Sequence, residues 1–192
     1  DRARHPFYQH SDAAFFLAMS EGQAVGRLAV LDNRNYNAFN STSAAFFSLF
    51  EAKGTPDIAK GLFDAAFAWA RARGLTHIRG PRGFGMLDGL GLLVKGFEHR
   101  PALGIPYNLP YYPSLIESVG FHPIGDILSG HITRDTRFPE RIDRVAQLVQ
   151  RRRGLKVVSF RTRRDLLALI PGFRELYNAS LGSNADNMPL TE

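Results

Sequence analysis

The sequence predicts an α/β protein, a mixed β-sheet with flanking helices, on three observations. Two apolar runs, Phe15–Met19 and Ala24–Leu31, flank the turn Glu21-Gly22-Gln23. Apolar residues then recur at helical spacing between Asp57 and Arg73. Short apolar runs, Ala44–Phe50 and Thr76–Arg79, lie on either side of that helix. A Gly turn between two strands predicts an antiparallel hairpin, and strand–helix–strand predicts a parallel crossover.

The elements follow in order. Asn33 to Asn40 is polar and rich in Asn, and reads as loop. Ala44 to Phe50 is dense in Phe, as a strand buried on both faces would be. The helix after it carries Ile58, Leu62, Ala65, Ala66 and Trp69 on one side. Thr55 can cap it, Pro56 suits its first turn, Asp57 complements its dipole, and Gly74 stops it. The connection over 80–110 is punctuated by Gly80, Gly83, Gly85, Gly89, Gly91 and Gly96, and so long a loop is more often functional than idle. A second helix is expected from about Pro110 to Val119, and strand material from Phe121 to Ile132 with a turn at Gly125-Asp126. A helix from Pro139 to Arg153 bears Ile142, Val145, Leu148 and Val149 on one stripe. Leu155 to Phe160 reads as a strand, Thr162 to Ser180 as a helix kinked or broken at Pro171-Gly172, and the tail from Gly182 as polar.

Composition narrows the class. Of 192 residues, 44% are hydrophobic and fifteen are Phe, which is too apolar for a disordered chain. There is no Cys, which excludes disulfides, thiolate metal sites and cysteine nucleophiles and suits a reducing, cytoplasmic setting. No apolar run approaches the ~20 residues that span a bilayer, and no signal peptide is read at the start, so no membrane partner is expected. The net charge of +6 is unevenly placed. Eleven of the 24 basic residues but three of the 18 acidic ones fall between Arg134 and Arg164, a local charge of +8. The remainder, thirteen basic against fifteen acidic, is −2.

A hairpin, a buried strand, a helix, a parallel strand and a helix ending in Gly-Phe resemble the GNAT superfamily of acetyltransferases over residues 13–132. Leu92–Phe97, Pro106–Pro113 and Glu117–Phe121 are similar to segments of uncharacterised bacterial GNAT-like proteins with two tandem lobes. The resemblance implies a GNAT-like lobe over 1–133 lacking its opening strand and helix, an Arg-rich connecting helix over 134–154, and the beginning of a second α/β lobe over 155–192. It also implies acetyl-CoA as donor and an unknown amine as acceptor. In that family, backbone amides of a loop Arg/Gln-x-x-Gly-x-Gly/Ala face the pyrophosphate at a helix amino end.

The matching stretch is Lys53 to Ala59. By this likeness Leu49, Lys53, Gly54 and Thr55 would hold the cofactor. Pro56 lacks an amide hydrogen, and Asp57 brings a like charge toward the phosphates, so a self-capped helix with a degenerate site accounts for the same residues. A Tyr that protonates the departing thiolate would fall at Ile116, and Tyr112, one turn earlier, is the candidate acid. Glu51 is the candidate base.

Other chemistries are poorly supplied. Gly83-Phe84-Gly85-Met86-Leu87-Asp88 misses the third Gly of a dinucleotide fingerprint. Six scattered His form no metal motif, so no metal is expected. Arg151-Arg152-Arg153 and Arg161-Thr162-Arg163-Arg164 are the candidates for a phosphate-binding face, and a solvated helix end accounts for them as well; nucleic acid is the weaker reading. A non-catalytic binding lobe is the competing class. An unpaired sheet edge would admit another chain, giving a homo-oligomer or a sheet-edge partner.

Overall fold

A computed structural model describes residues 2–85, 88–130, 132–154, 158–181 and 187–190. Four strands form one mixed sheet in the order β1-β2-β3-β4. Strands β1 (Asp12–Ser20) and β2 (Gln23–Asp32) are the expected antiparallel hairpin, in one register from Asp12↔Asp32 to Ala18↔Gly26 and slipped by one residue from Met19↔Ala24 to Ser20↔Gln23. Its two turn residues, Glu21 and Gly22, both take positive φ, which matches the right-handed strand twist. Strand β3 (Ala44–Ala52) runs antiparallel to β2 and parallel to β4 (His77–Arg79), so the crossover through helix α2 (Pro56–Arg71) is present.

Alternation along β3 builds two cores. Ala45 and Phe47 face a layer made by α2 and by helix α3 (Tyr112–Ser118). Ala44 and Phe46 face the amino-terminal 3₁₀ turns, Tyr36 and Met188. The strand is therefore buried on both faces, as its Phe content predicts.

The face that α2 buries lies about one residue round from the predicted stripe. Ala59, Leu62, Phe63, Ala66 and Ala70 are buried, whereas Ile58 and Trp69 pack only at the margin. Three alanines let the helix approach the sheet closely. At Gly26 of β2 an added Cβ would meet Ile58 Cγ2 at 2.8 Å and the Glu51 carbonyl at 3.0 Å. Phe63 fills the centre, within 5.3 Å, centroid to centroid, of Phe47, Phe50 and Phe121. Burying one such ring is worth about 1.5–3 kcal/mol.

Four expectations need correction. The Asn-rich stretch is not a loop: helix α1 (Arg34–Phe39) forms because the Asn33 side chain accepts the Tyr36 amide at 3.0 Å. Asn37 then pairs both ways with the Ala44 backbone, at 2.9 and 3.0 Å. Residues 121–130 and 132 form no strand, because nothing among the described residues pairs with them. Of the strand read at 155–160, residues 155–157 lie outside the described residues and 158–160 are not in a strand. Finally, Pro171 does not break a helix. It sits in the first turn of α6 (Ile170–Ser180), where its missing amide is harmless, and the interruption precedes it, after α5 (Arg163–Leu167).

Helix α4 (Glu140–Arg153) forms as predicted and ends at Gly154 in the left-handed conformation. None of its residues is buried. The carboxyl-terminal part returns to the sheet through residues 187–190, where Asn40 donates to the Asn187 carbonyl at 3.0 Å and Met188 joins the second core. No helix among the described residues is long and apolar enough to cross a membrane.

Candidate functional site

Pairing of β3 with β4 stops early. The ladder covers Ala44–Phe46 against His77–Arg79, and the Arg82 amide closes it by donating to the Phe47 carbonyl at 2.8 Å. Strand β3 continues to Ala52 with no strand on that side among the described residues. Its pairing with β2 is also disturbed here: the register slips between Arg27↔Glu51 and Ala29↔Ser48, and Leu49 takes φ +51°. A bulge of this kind releases backbone groups from the ladder and re-aims side chains. Leu49 is accordingly exposed, while Phe50 turns into the core.

All six residues singled out in the sequence lie at or near this end of β3. Glu51 is exposed and accepts from Arg27 Nη2 at 2.7 Å across the β2–β3 pair. Exposed pairs contribute little to stability, so Arg27 orients the carboxylate more than it stabilises the fold. The Lys53 amide donates to the Val25 carbonyl at 2.9 Å, anchoring the loop. Gly54 lies beside the Tyr111 ring, 3.8 Å from where a Cβ would stand. Thr55 occupies the N-cap position of α2 with extended φ/ψ, but its side chain makes no capping bond. The Gly54 and Asp57 amides meet no protein acceptor among the described residues.

Residues 53–57 are exposed, so the amino end of α2 opens to solvent. Asp57 lines the groove between α2 and β1, about 370 Å³ in volume, whereas Gly54 faces α3.

Tyr112 is buried, its ring packed edge-on to Phe50 at 5.3 Å between centroids. Burial pushes its phenol above the ordinary tyrosine value; the Ala52 backbone opposes the rise, Tyr111 and Glu51 add to it, and Arg27 opposes it. A phenol so placed is neutral at physiological pH. Ile116 is a core residue facing α2, so the position where the resemblance expects a tyrosine is spent on packing.

Sequence reasoning passed over Tyr111. Its hydroxyl donates to the Ala52 carbonyl at 2.9 Å, capping the open edge of β3 with a side chain. The adjacent pair Tyr111-Tyr112 ahead of Pro113 was the available signal. Asn108 was also missed: it is buried, accepts the Leu93 amide at 2.7 Å and donates to the Leu93 carbonyl at 3.1 Å, mimicking a strand pair. That clamp ties the Gly-rich connection to the start of α3.

A second concavity of about 260 Å³ lies at the other end of α2, against β4 and Phe121. Its lining includes Arg71, Thr76 and His77 but none of the six residues singled out in the sequence. The near-fingerprint at 83–88 includes Met86 and Leu87, which lie outside the described residues. Among the described residues no group of three His, Asp or Glu is placed to hold a metal ion.

No protein-family model matches the chain, and no solved structure matches it. Two curated proteins are similar in sequence. The protein YghO of Escherichia coli (strain K12) is 25% identical over 191 residues, covering 99% of this chain and 48% of that protein. The bacterial ceramide synthase of Caulobacter vibrioides (strain NA1000 / CB15N) is 30% identical over 137 residues, covering 71% of this chain and 36% of that protein. The chain thus spans about half the length of the first and about a third of the second.

Proposed function

We propose that the chain is the acyl-donor lobe of a GNAT-like, cytoplasmic N-acyltransferase, which transfers an acyl group from a CoA thioester, acetyl-CoA in the simplest case, to an amine. The observation that carries the reading is the open end of β3. A bulged strand leaves its partner after Phe47 and runs directly into a helix whose amino end is uncapped and exposed. Free amides at a helix amino end favour anions such as pyrophosphate. The name of the Caulobacter relative supports acyl transfer as the reaction class.

In this reading the Leu49 backbone faces the donor's pantetheine arm, and Lys53, Gly54 and Thr55 face its phosphates. The thioester supplies the activated acyl group. Glu51, held by Arg27, takes the proton from the attacking amine through a water, and the neutral Tyr112 phenol is the proton source for the departing thiolate. Calorimetric titration with acetyl-CoA, followed by longer acyl-CoA thioesters, tests it. Saturable 1:1 binding that Lys53→Glu weakens supports the reading; no heat at millimolar ligand with any thioester removes it.

A second reading, a non-catalytic lobe that binds another chain, is favoured by Tyr111. Its hydroxyl already takes the Ala52 carbonyl, and Pro56 offers no amide. Tyr111→Phe separates the two: thioester binding that appears or tightens when the hydroxyl is removed supports the donor site, and binding that stays undetectable supports the non-catalytic lobe. Light scattering then shows whether the free edge of β1 recruits a second copy or a partner.

A further inference from the structure

From Phe121 to Leu176 no described residue is buried, although the stretch is not poor in apolar residues. Ile124, Ile127, Leu128, Ile132 and Phe138 are exposed, and α4 presents an apolar stripe with Ile142, Val145 and Leu148 at 46%, 58% and 46% exposure. Apolar surface of this extent is covered in a working protein. The charge around it indicates by what. Residues 134–164 hold the chain's whole basic excess, +8, while the rest is −2.

Within α4 the acids Glu140 and Asp143 lie in the first turn and Arg151, Arg152 and Arg153 in the last. Arg141 and Arg144 lie in its first half. Arginine stems can lie along an apolar face while their heads reach outward to phosphate. A nucleic acid would use these arginines but has no need of the Ile-Val-Leu stripe. The core of a protein interface would use the stripe but is depleted in charge. A stripe and a cationic rim on one helix fit an anionic lipid surface.

We propose that α4 is an interfacial helix that docks the protein on an anionic membrane surface, with Ile142, Val145 and Leu148 at the acyl boundary and the arginines at phosphate level. The docking is peripheral, consistent with the absence of a spanning helix among the described residues. It stands apart from the acyl-transfer reading, since it uses no residue at the end of β3.

The test is flotation of the full 192-residue chain with vesicles of phosphatidylcholine alone or mixed with phosphatidylglycerol, at low and at physiological salt. Binding to the anionic vesicles should exceed that to neutral ones by about tenfold or more and weaken with salt. The double variant Val145→Ser/Leu148→Ser should lose about tenfold. Its circular dichroism should be unchanged, because α4 buries nothing in the fold. Arg151→Gln/Arg152→Gln/Arg153→Gln should lose at least as much. No flotation with anionic vesicles at low salt overturns the proposal. So does vesicle binding that ignores the serine pair, or retention on duplex DNA without any on vesicles.

Discussion

Helices α2 and α4 are both amphipathic, of similar length, and both legible from their apolar spacing, yet they end in opposite environments. Helix α2 buries five residues against β2, β3 and α3, and α4 buries none. The difference lies in what the rest of the chain offers. Around α2 the sequence supplies Phe47, Phe50 and Phe121, which the fold brings together. Around α4 it supplies arginines and exposed aliphatics. Periodicity therefore predicts that a helix forms; long-range apolar partners decide whether it joins a core.

The contrast is sharpest in core truncation. Phe63→Ala should cost about 3–5 kcal/mol in urea denaturation, since Phe63 is fully buried among four aromatic rings. Leu148→Ala in α4 should stay within about 0.5 kcal/mol of the parent chain. Equal losses would break the comparison. Next, Gly26→Ala should cost about 1–3 kcal/mol, because the new methyl group meets Ile58 Cγ2 at 2.8 Å and the Glu51 carbonyl at 3.0 Å. A neutral result would mean that α2 sits farther from β2 than described.

Smaller effects sharpen the outer region and the site. Thr162 and Asp165 form a reciprocal capping box at the start of α5, and Thr162→Ala should cost this helix about 0.5–2 kcal/mol. The loss should appear in amide exchange of α5 without moving the main unfolding transition, because α5 buries nothing. The smallest effect is the alkaline one. Burial raises the Tyr112 pKa in the fold, so the folded chain keeps that proton when the unfolded chain releases it. Stability from this group is whole below about pH 10 and falls as pH climbs from there through the folded value. Tyr112→Phe should lessen that alkaline fall in pH-dependent melts; an unchanged alkaline profile would show Tyr112 to be solvated.

Much of the packed unit was readable because its signals are local. Gly22 marks the hairpin turn, and Gly74, at φ +72°, marks the stop after α2. The misreadings come from residues whose preference depends on distant partners. Asn33 favours loops by composition, yet here it caps α1 and seats Tyr36 in the second core. Residues 121–132 read as strand material around a Gly-Asp turn, but a strand needs an edge to pair with. At the candidate site the sequence located Glu51, Lys53, Gly54 and Tyr112 along the chain. The pair Tyr111-Tyr112 marked the place, but that Tyr111 reaches back to the Ala52 carbonyl, 59 residues away, depends on how α3 docks.

The central claim is that the amides released at the end of β3 and at the start of α2 receive a thioester's polar arm. Residue-resolved hydrogen exchange with and without saturating acyl-CoA tests it most directly. Slowed exchange concentrated at Leu49, Gly54 and Asp57, with α4 unaffected, is the predicted result. Unchanged exchange at those amides, or protection confined to residues 16–20 of β1 across the groove, would contradict it.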